Sequence, residues 1–261
     1  MSDADLRLIP IHRLAQGGRW RVEAMRSYSV DQLLWFTRGQ GRITVGGVTR
    51  GYGSHNALFI PAGTMHGFEM TPQVYGSALF FGRNHGLHLP EAPRHLRIRD
   101  AMAQAEITGL LEQLQREADS DRPARHRAML HLAGLLAVWL ERQMLANEDA
   151  MAPSDAARRL ARRYSALVEQ GFGTEKSVSD YAEALGVTPT HLTRVCKETC
   201  GRTASDFLAD RKIAEARRLL ADTRLPVKDI AAGLGFASPA YFTRAFQQRA
   251  GKSPMAFRRG S

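Results

Sequence analysis

Two short runs of side chains, about fifty residues apart, carry the chemistry of base recognition. Thr190, Thr193, Arg194 and Lys197 form one run, and Pro239, Ala240, Thr243, Arg244 and Gln247 form the other. An Arg guanidinium can donate two hydrogen bonds to one guanine edge, a Thr offers a hydroxyl or a methyl to thymine, and a Lys suits a phosphate. Helical spacing predicts that each run occupies one stripe of a helix, with Leu192 and Cys196, or Phe242 and Phe246, on the opposite stripe.

The elements that must hold these stripes are written twice. Asp180, Ala182, Leu185 and Gly186 match Asp229, Ala231, Leu234 and Gly235 at an offset of 49. After one inserted residue, Leu192, Thr193, Arg194, Cys196, Gly201 and Phe207 match Phe242, Thr243, Arg244, Phe246, Gly251 and Phe257 at an offset of 50. Each copy reads as helix, tight turn, helix: Gly186 and Gly235 supply the left-handed turn residue, Thr188 and Ser238 cap the second helix, and Pro189 and Pro239 fit its first position. This is the helix-turn-helix layout, whose second helix enters the major groove of duplex DNA. A connecting helix over Phe207 to Ala221 would fix the two units relative to each other.

Charge follows the repeat. The chain carries a net charge of +10, yet residues 1 to 150 hold 17 Arg and no Lys against 15 acids, whereas residues 151 to 261 hold 19 basic residues against 11 acidic ones. An excess of +8 in the repeat region predicts a polyanionic partner there, and only +2 remains for the other part. Eight of the nine His lie in that other part. The only two Cys, Cys196 and Cys200, give no disulfide framework, and Cys196 holds a core position of the repeat, so a reducing cytoplasmic setting without cysteine-based sensing is expected. Met1 to Pro10 contains no apolar block, so no signal peptide is expected. The longest strongly apolar stretch, Leu132 to Leu140, is far below the roughly 18 residues of a membrane span.

The first 82 residues read as β-structure, in short apolar runs punctuated by glycine turns. The expected strands are Trp20 to Met25, Gln32 to Phe36, Arg42 to Val45, Val48 to Tyr52, Ala57 to Ile60, Gly67 to Met70 and Tyr75 to Phe81. Seven strands at this spacing predict a small barrel or sandwich. From about Asp100 the period becomes helical, with Ile107, Leu110, Leu111 and Leu114 on one stripe and Met129, Leu132, Leu136 and Leu140 on a second. The second stripe is narrow enough to form the seam of a homodimer. Asn147 to Ser154 reads as a linker.

The tandem repeat, with Asp229-Ile-Ala-Ala-Gly-Leu-Gly-Phe236, Tyr241-Phe-Thr-Arg-Ala-Phe246, Gly251, Pro254 and Phe257-Arg258, resembles the signature of AraC/XylS transcriptional regulators over about residues 160 to 259. The resemblance implies a seven-helix DNA-binding domain that recognises two adjacent major-groove segments. Cys196 departs from the bulky aromatic usual at its position. In the N-terminal part, Gly53 to Phe68 with Pro61-Ala-Gly63 and His66 is similar to the second motif of the cupin barrel, which many members of the family carry as a sensor. Cupin enzymes use a His at this place with a His-x-His pair and a Glu to hold a metal. The corresponding stretch here, Tyr28 to Phe36 running on to Gly41, has neither His nor Glu, so neither a metal, a cofactor nor a catalytic residue is expected.

The fold expected is therefore α+β in two domains: a cupin-like effector-binding β-barrel over 1–95, a helical dimerisation and linker region over 96–150, and an all-α tandem helix-turn-helix domain over 154–261. His66, Trp35 and Arg42 are the effector-binding candidates, since a barrel mouth is a natural small-molecule pocket and an Arg can pair with a ligand carboxylate. Gln32-Leu-Leu-Trp-Phe with Pro61 to Phe68 is similar to regulators that sense aromatic acids such as 4-hydroxybenzoate. The expected partners are promoter DNA, a small-molecule effector, RNA polymerase and a second copy of the chain, for an activator rather than an enzyme. A cupin-type enzyme with an accessory DNA-binding module, and a regulator without a small-molecule ligand, are the alternatives.

Overall fold

The run Gln32-Leu-Leu-Trp-Phe is apolar without alternation because its strand lies between two cores. The computed structural model describes residues 6–83, 85–146 and 155–260. Its strands are β1 (Arg7–Pro10), β2 (Gln32–Arg38), β3 (Gly41–Val45), β4 (Val48–Tyr52), β5 (Asn56–Ile60), β6 (His66–Phe68), β7 (Tyr75–Phe80) and β8 (Arg94–Arg97). They form a five-stranded antiparallel sheet in the order β1-β7-β2-β5-β8 and a three-stranded antiparallel sheet in the order β4-β3-β6.

Leu34 and Phe36 of β2 face the smaller sheet, where Phe36 stacks on Tyr52 at 4.2 Å between ring centroids and meets Phe68 edge-on at 5.7 Å. Leu33 and Trp35 face the other way, onto α2 (Ala101–Ala118) and α3 (Arg125–Ala146). There Trp35 Nε1 donates to Thr108 Oγ1 at 3.2 Å, and Trp139 Nε1 donates to the Ala103 carbonyl at 3.1 Å. Each fully buried aromatic or aliphatic side chain contributes about 1.5 to 3 kcal/mol. The result is three layers: small sheet, large sheet, helix pair.

Four expectations are corrected here. The strands do not close into a barrel among the described residues, because β3 pairs only with β4 and β6 and the two sheets meet through side chains. Trp20 to Met25 is not a strand: after the turn at Gly17-Gly18, the short helix α1 (Trp20–Glu23) is closed by an i,i+4 ion pair from Arg19 to Glu23 at 3.0 Å. Strands β1 and β8 pair with β7 and β5 in stretches where no strand was expected. Finally, Met129, Leu136 and Leu140 are buried against α2 and the large sheet, with Leu132 packed beside them, so the expected dimer stripe belongs to the internal core. The exposed apolar side chains of α3 are instead Leu130, Leu135, Val138 and Leu145. The expected linker, Asn147 to Ser154, lies outside the described residues.

Helices α4 (Ala156–Gly171), α5 (Val178–Ala184), α6 (Pro189–Cys200), α7 (Ala204–Asp222), α8 (Val227–Gly233), α9 (Pro239–Ala250) and α10 (Pro254–Arg259) complete the described chain. All of them but α8 start on a side-chain cap. Thr188 accepts from the His191 amide and Ser238 from the Tyr241 amide, each followed by Pro at the first helical position. Ser177 and Asp180 form a reciprocal capping box on α5, while α8 starts after Pro226 with no side-chain cap. No described helix is long and apolar enough to cross a membrane.

Candidate nucleic-acid interface

Helices α5 and α6 make the first unit, and α8 and α9 the second. In the first, Leu192 and Cys196 of α6 are buried with Tyr181, Ala182, Leu185 and Phe207. Burial pushes the Cys196 thiol up to about 12, so it stays a neutral core group. In the second, Phe242 and Phe246 of α9 pack with Phe257 as a chain of aromatic rings at 5.7 and 5.5 Å.

The opposite faces are open. Thr190, Arg194 and Lys197 of α6 are exposed, with Thr193 half-buried beside them. On α9, Pro239, Ala240, Arg244 and Gln247 are exposed and Thr243 is half-buried, its hydroxyl donating to the Pro239 carbonyl at 2.9 Å. Each set of sequence candidates therefore lies together on one helix face. The two Arg differ in their surroundings. Arg194 donates to His191 Nδ1 at 3.1 Å and lies 3.7 Å from Glu198, whereas Arg244 makes no ion pair among the described residues.

The connection between the units is polar and buried. Arg211 of α7, almost fully buried, pairs with Glu169 at 2.7 Å and Glu215 at 3.2 Å. Lys212 Nζ donates to the carbonyls of Thr174 and Gly235 at 3.0 and 3.2 Å, and burial lowers its pKa from the ordinary lysine value. Arg249 of α9 reaches back to Asp206 and Asp210 of α7 at 2.9 and 2.7 Å. Gly235 adopts a φ of +64°, and a Cβ there would lie 2.0 Å from the Thr174 carbonyl oxygen, so only glycine fits this turn.

The N-terminal region leans on both units. Met25 and Met65 enter the core of the first unit, and Ser27 Oγ donates to Glu169 at 2.5 Å. Val48 of β4 packs on Ala161 of α4 and Val195 of α6. Trp20 of α1 meets Phe257 edge-on at 5.5 Å, and Arg21 pairs with Asp222 at 3.2 Å.

His66, Trp35 and Arg42 are not brought together. His66 is buried, its Nδ1–H donating to the Thr64 carbonyl at 2.9 Å; burial, then the nearby Arg26 charge, pushes its pKa down to about 3, so the ring is neutral. Trp35 faces the helices across the large sheet. Arg42 is exposed, and Glu69 at 2.6 Å raises its pKa through a hydrogen bond and charge attraction. Phe36, Tyr52 and Phe68 pack together between the two sheets. No group of three His, Cys, Asp or Glu side chains able to hold a metal occurs among the described residues.

Sequence reasoning passed over His191 and Tyr241. Both occupy the third position of their helices, at an offset of 50, and Tyr241 is 54% exposed. The repeat alignment itself could have paired them. The docking residues Trp20, Met25 and Ser27 left no signal, because their partners in the C-terminal region lie far along the chain, Ser27 and Glu169 being 142 residues apart.

Residues 181–260 match the family model described as a helix-turn-helix domain. The chain is similar to the arabinose operon regulatory protein of Salmonella typhimurium, with 28% identity over 138 residues that cover 52% of this chain and 48% of the relative. The C-terminal region is an AraC-type helix-turn-helix domain. The chain spans about half the length of the first curated relatives it matches. Similarity to the transcriptional activator RhaS of Escherichia coli runs further, at 25% identity over 79% of this chain and 85% of the relative. The AraC-type domain is also similar to the solved C-terminal domain of AraT, a response regulator from Geobacillus stearothermophilus, at 29% identity over 41% of this chain and 89% of that chain, with a TM-score of 0.39.

Proposed function

We propose that the chain is a sequence-specific DNA-binding transcriptional regulator in which α6 and α9 read two adjacent major-groove segments. One observation carries this reading: two helices with an exposed Arg beside a half-buried Thr at equivalent positions, Thr193-Arg194 and Thr243-Arg244, stand on two cores tied together through α7. Lys197 fits phosphate contact and Gln247 a base edge. The net charge of +8 over residues 151 to 261 supports the same partner.

The two-sheet region with its helices, residues 1–95 and 96–150, is the regulatory part in this reading, and 154–261 the reader. A small-molecule effector acts by favouring one docking arrangement of the N-terminal region on α4 and α6 over another, which shifts the population able to occupy promoter DNA and engage RNA polymerase. The exposed stripe Leu130, Leu135, Val138 and Leu145 of α3 is the face offered to a second copy. The setting is the cytoplasm, where the promoter is.

The test is selection of bound duplexes from a random pool by the full chain. A two-part motif is expected, with Arg194→Ala relaxing one part and Arg244→Ala the other, and with affinity falling steeply as salt rises. A pool that shows no enrichment overturns the reading.

A further inference from the structure

Between α1 and the face of α7 that receives α9 lies a cavity of about 340 Å³, within the size range of small-molecule sites. Trp20 and Ala24 form its N-terminal wall, and Arg202, Asp210, Arg217 and Arg249 project from the other side. Its charges are not balanced. Arg202 and Arg249 share Asp210, each at 2.7 Å, and Arg249 also holds Asp206 at 2.9 Å. Glu23, the other acid of the lining, is held by Arg19 at 3.0 Å.

Arg217 is left over. It forms no ion pair among the described residues, its Nη2 donates to the Arg249 carbonyl at 2.7 Å, and its Nε is buried with no acceptor. The guanidinium is half-buried, and the acid that acts on it, Asp210, is already paired with Arg202 and Arg249, so an anion delivered to Arg217 would meet a cation whose attraction is only partly met. Burial accordingly lowers its pKa from the ordinary arginine value. The indole of Trp20, with Arg217 5.9 Å from its ring centroid, gives the same cavity an apolar side.

We propose that this cavity binds a small molecule through an oxyanion, a carboxylate or phosphate group, with Arg217 as its anchor and Trp20 against its apolar part. A ligand held there touches α1 on one side and α7 and α9 on the other, so its binding would strengthen the docking of the N-terminal region on the second helix-turn-helix unit. What the ligand does to transcription rests on the regulatory reading above; whether it binds does not.

The experiment is calorimetric titration of the full chain, without DNA, with benzoate and separately with inorganic phosphate in low-chloride buffer. Saturable binding at one site per chain is expected for at least one of the two, and which one binds identifies the class of group. Arg217→Met should weaken it by about tenfold or more, while Arg116→Met, at an exposed guanidinium on α2, leaves it unchanged. Ala24→Phe, which fills the cavity from its apolar wall and keeps Arg217, should also abolish it and decides the matter if the Arg217 variant does not fold. Absence of binding by both anions up to about 10 mM, or undiminished binding in Arg217→Met or in Ala24→Phe, overturns the proposal. Loss of DNA binding in other experiments would leave this result standing.

Discussion

At equivalent positions of the repeat, α6 carries Val195 and α9 carries Ala245, and the difference marks how the two units are used. Val195 is buried under Val48 of the small sheet, so the flank of α6 is covered by the N-terminal region. Ala245 is half-buried with no such cover. Likewise Arg194 is held by His191 and Glu198 of its own helix, while Arg244 stands free of ion pairs among the described residues. Two copies of one motif have thus acquired different surroundings: the first is coupled to the N-terminal region beside its reading face, the second through Trp20 at its far side. The lesson is that duplication preserved the core pattern while neighbours outside the repeat made the copies unequal.

The largest effect that separates the copies should come from their cores. Phe246→Ala empties a fully buried aromatic site and is expected to cost about 3 to 5 kcal/mol, whereas Cys196→Ala removes a single sulfur and should cost about 1 to 2 kcal/mol. Urea unfolding of both variants measures this, and equal losses would show that the first unit depends on Cys196 as heavily as the second does on Phe246.

Next come the turns. Gly186 at φ +70° has open space around its Cβ position, so Gly186→Ala should cost about 1 kcal/mol from backbone strain alone. Gly235→Ala adds a collision with the Thr174 carbonyl and should lose about 3 kcal/mol, read as a drop in thermal midpoint.

On DNA, Arg244→Ala should reduce discrimination at its base position by about 1 to 3 kcal/mol. Arg194→Ala should do less, since Arg194 must first leave His191 and Glu198. Competition binding with single-base variants of the selected site separates the two, and a larger loss for Arg194 would reverse the order argued here.

A smaller expected change follows Val48→Ala. It thins the cover over Val195 at a cost of about 1 kcal/mol, and amide exchange should accelerate in α6 while α9 is unaffected. Uniform acceleration in both helices would mean that the two units open together. The last contrast is one of acidity. The folded pKa of His66 lies near 3 against 6.5 for the free side chain, so its contribution to stability is complete above about 6.5 and is lost as pH falls toward 3. His66→Gln should flatten stability across that window in pH-dependent unfolding.

Much of the C-terminal architecture was legible because it is local. Thr188, Pro189 and Gly186, and Ser238, Pro239 and Gly235, declare the ends of their helices by their own chemistry, and the apolar stripes of α6 and α9 follow from periodicity. The N-terminal region was legible only as β-structure. Trp20, Val22 and Ala24 alternate with Arg21 and Glu23 as a strand would, but the partners of Trp20 and Met25, Phe257 and the core around Tyr164 and Tyr181, are far along the chain. Met129, Leu136 and Leu140 show the same limit: a stripe reveals that a face is buried, not which surface buries it. The candidates on α6 and α9 share one face of each helix as their spacing predicts. His66, Trp35 and Arg42 lie apart, since Trp35 faces the helices, His66 is buried in the small sheet and Arg42 is exposed beside Glu69.

The latch at Gly235 sets a rule for how such a reader changes its target. Lys212 binds a carbonyl from the loop after α4 and another from the turn before α9, and the absent side chain at 235 lets those two strips of backbone meet. The spacing between α6 and α9 is thereby fixed by contacts to main chain, away from their exposed faces. In the proposed function, a new promoter preference is then a matter of exchanging side chains on α6 and α9, with the gap between them held constant.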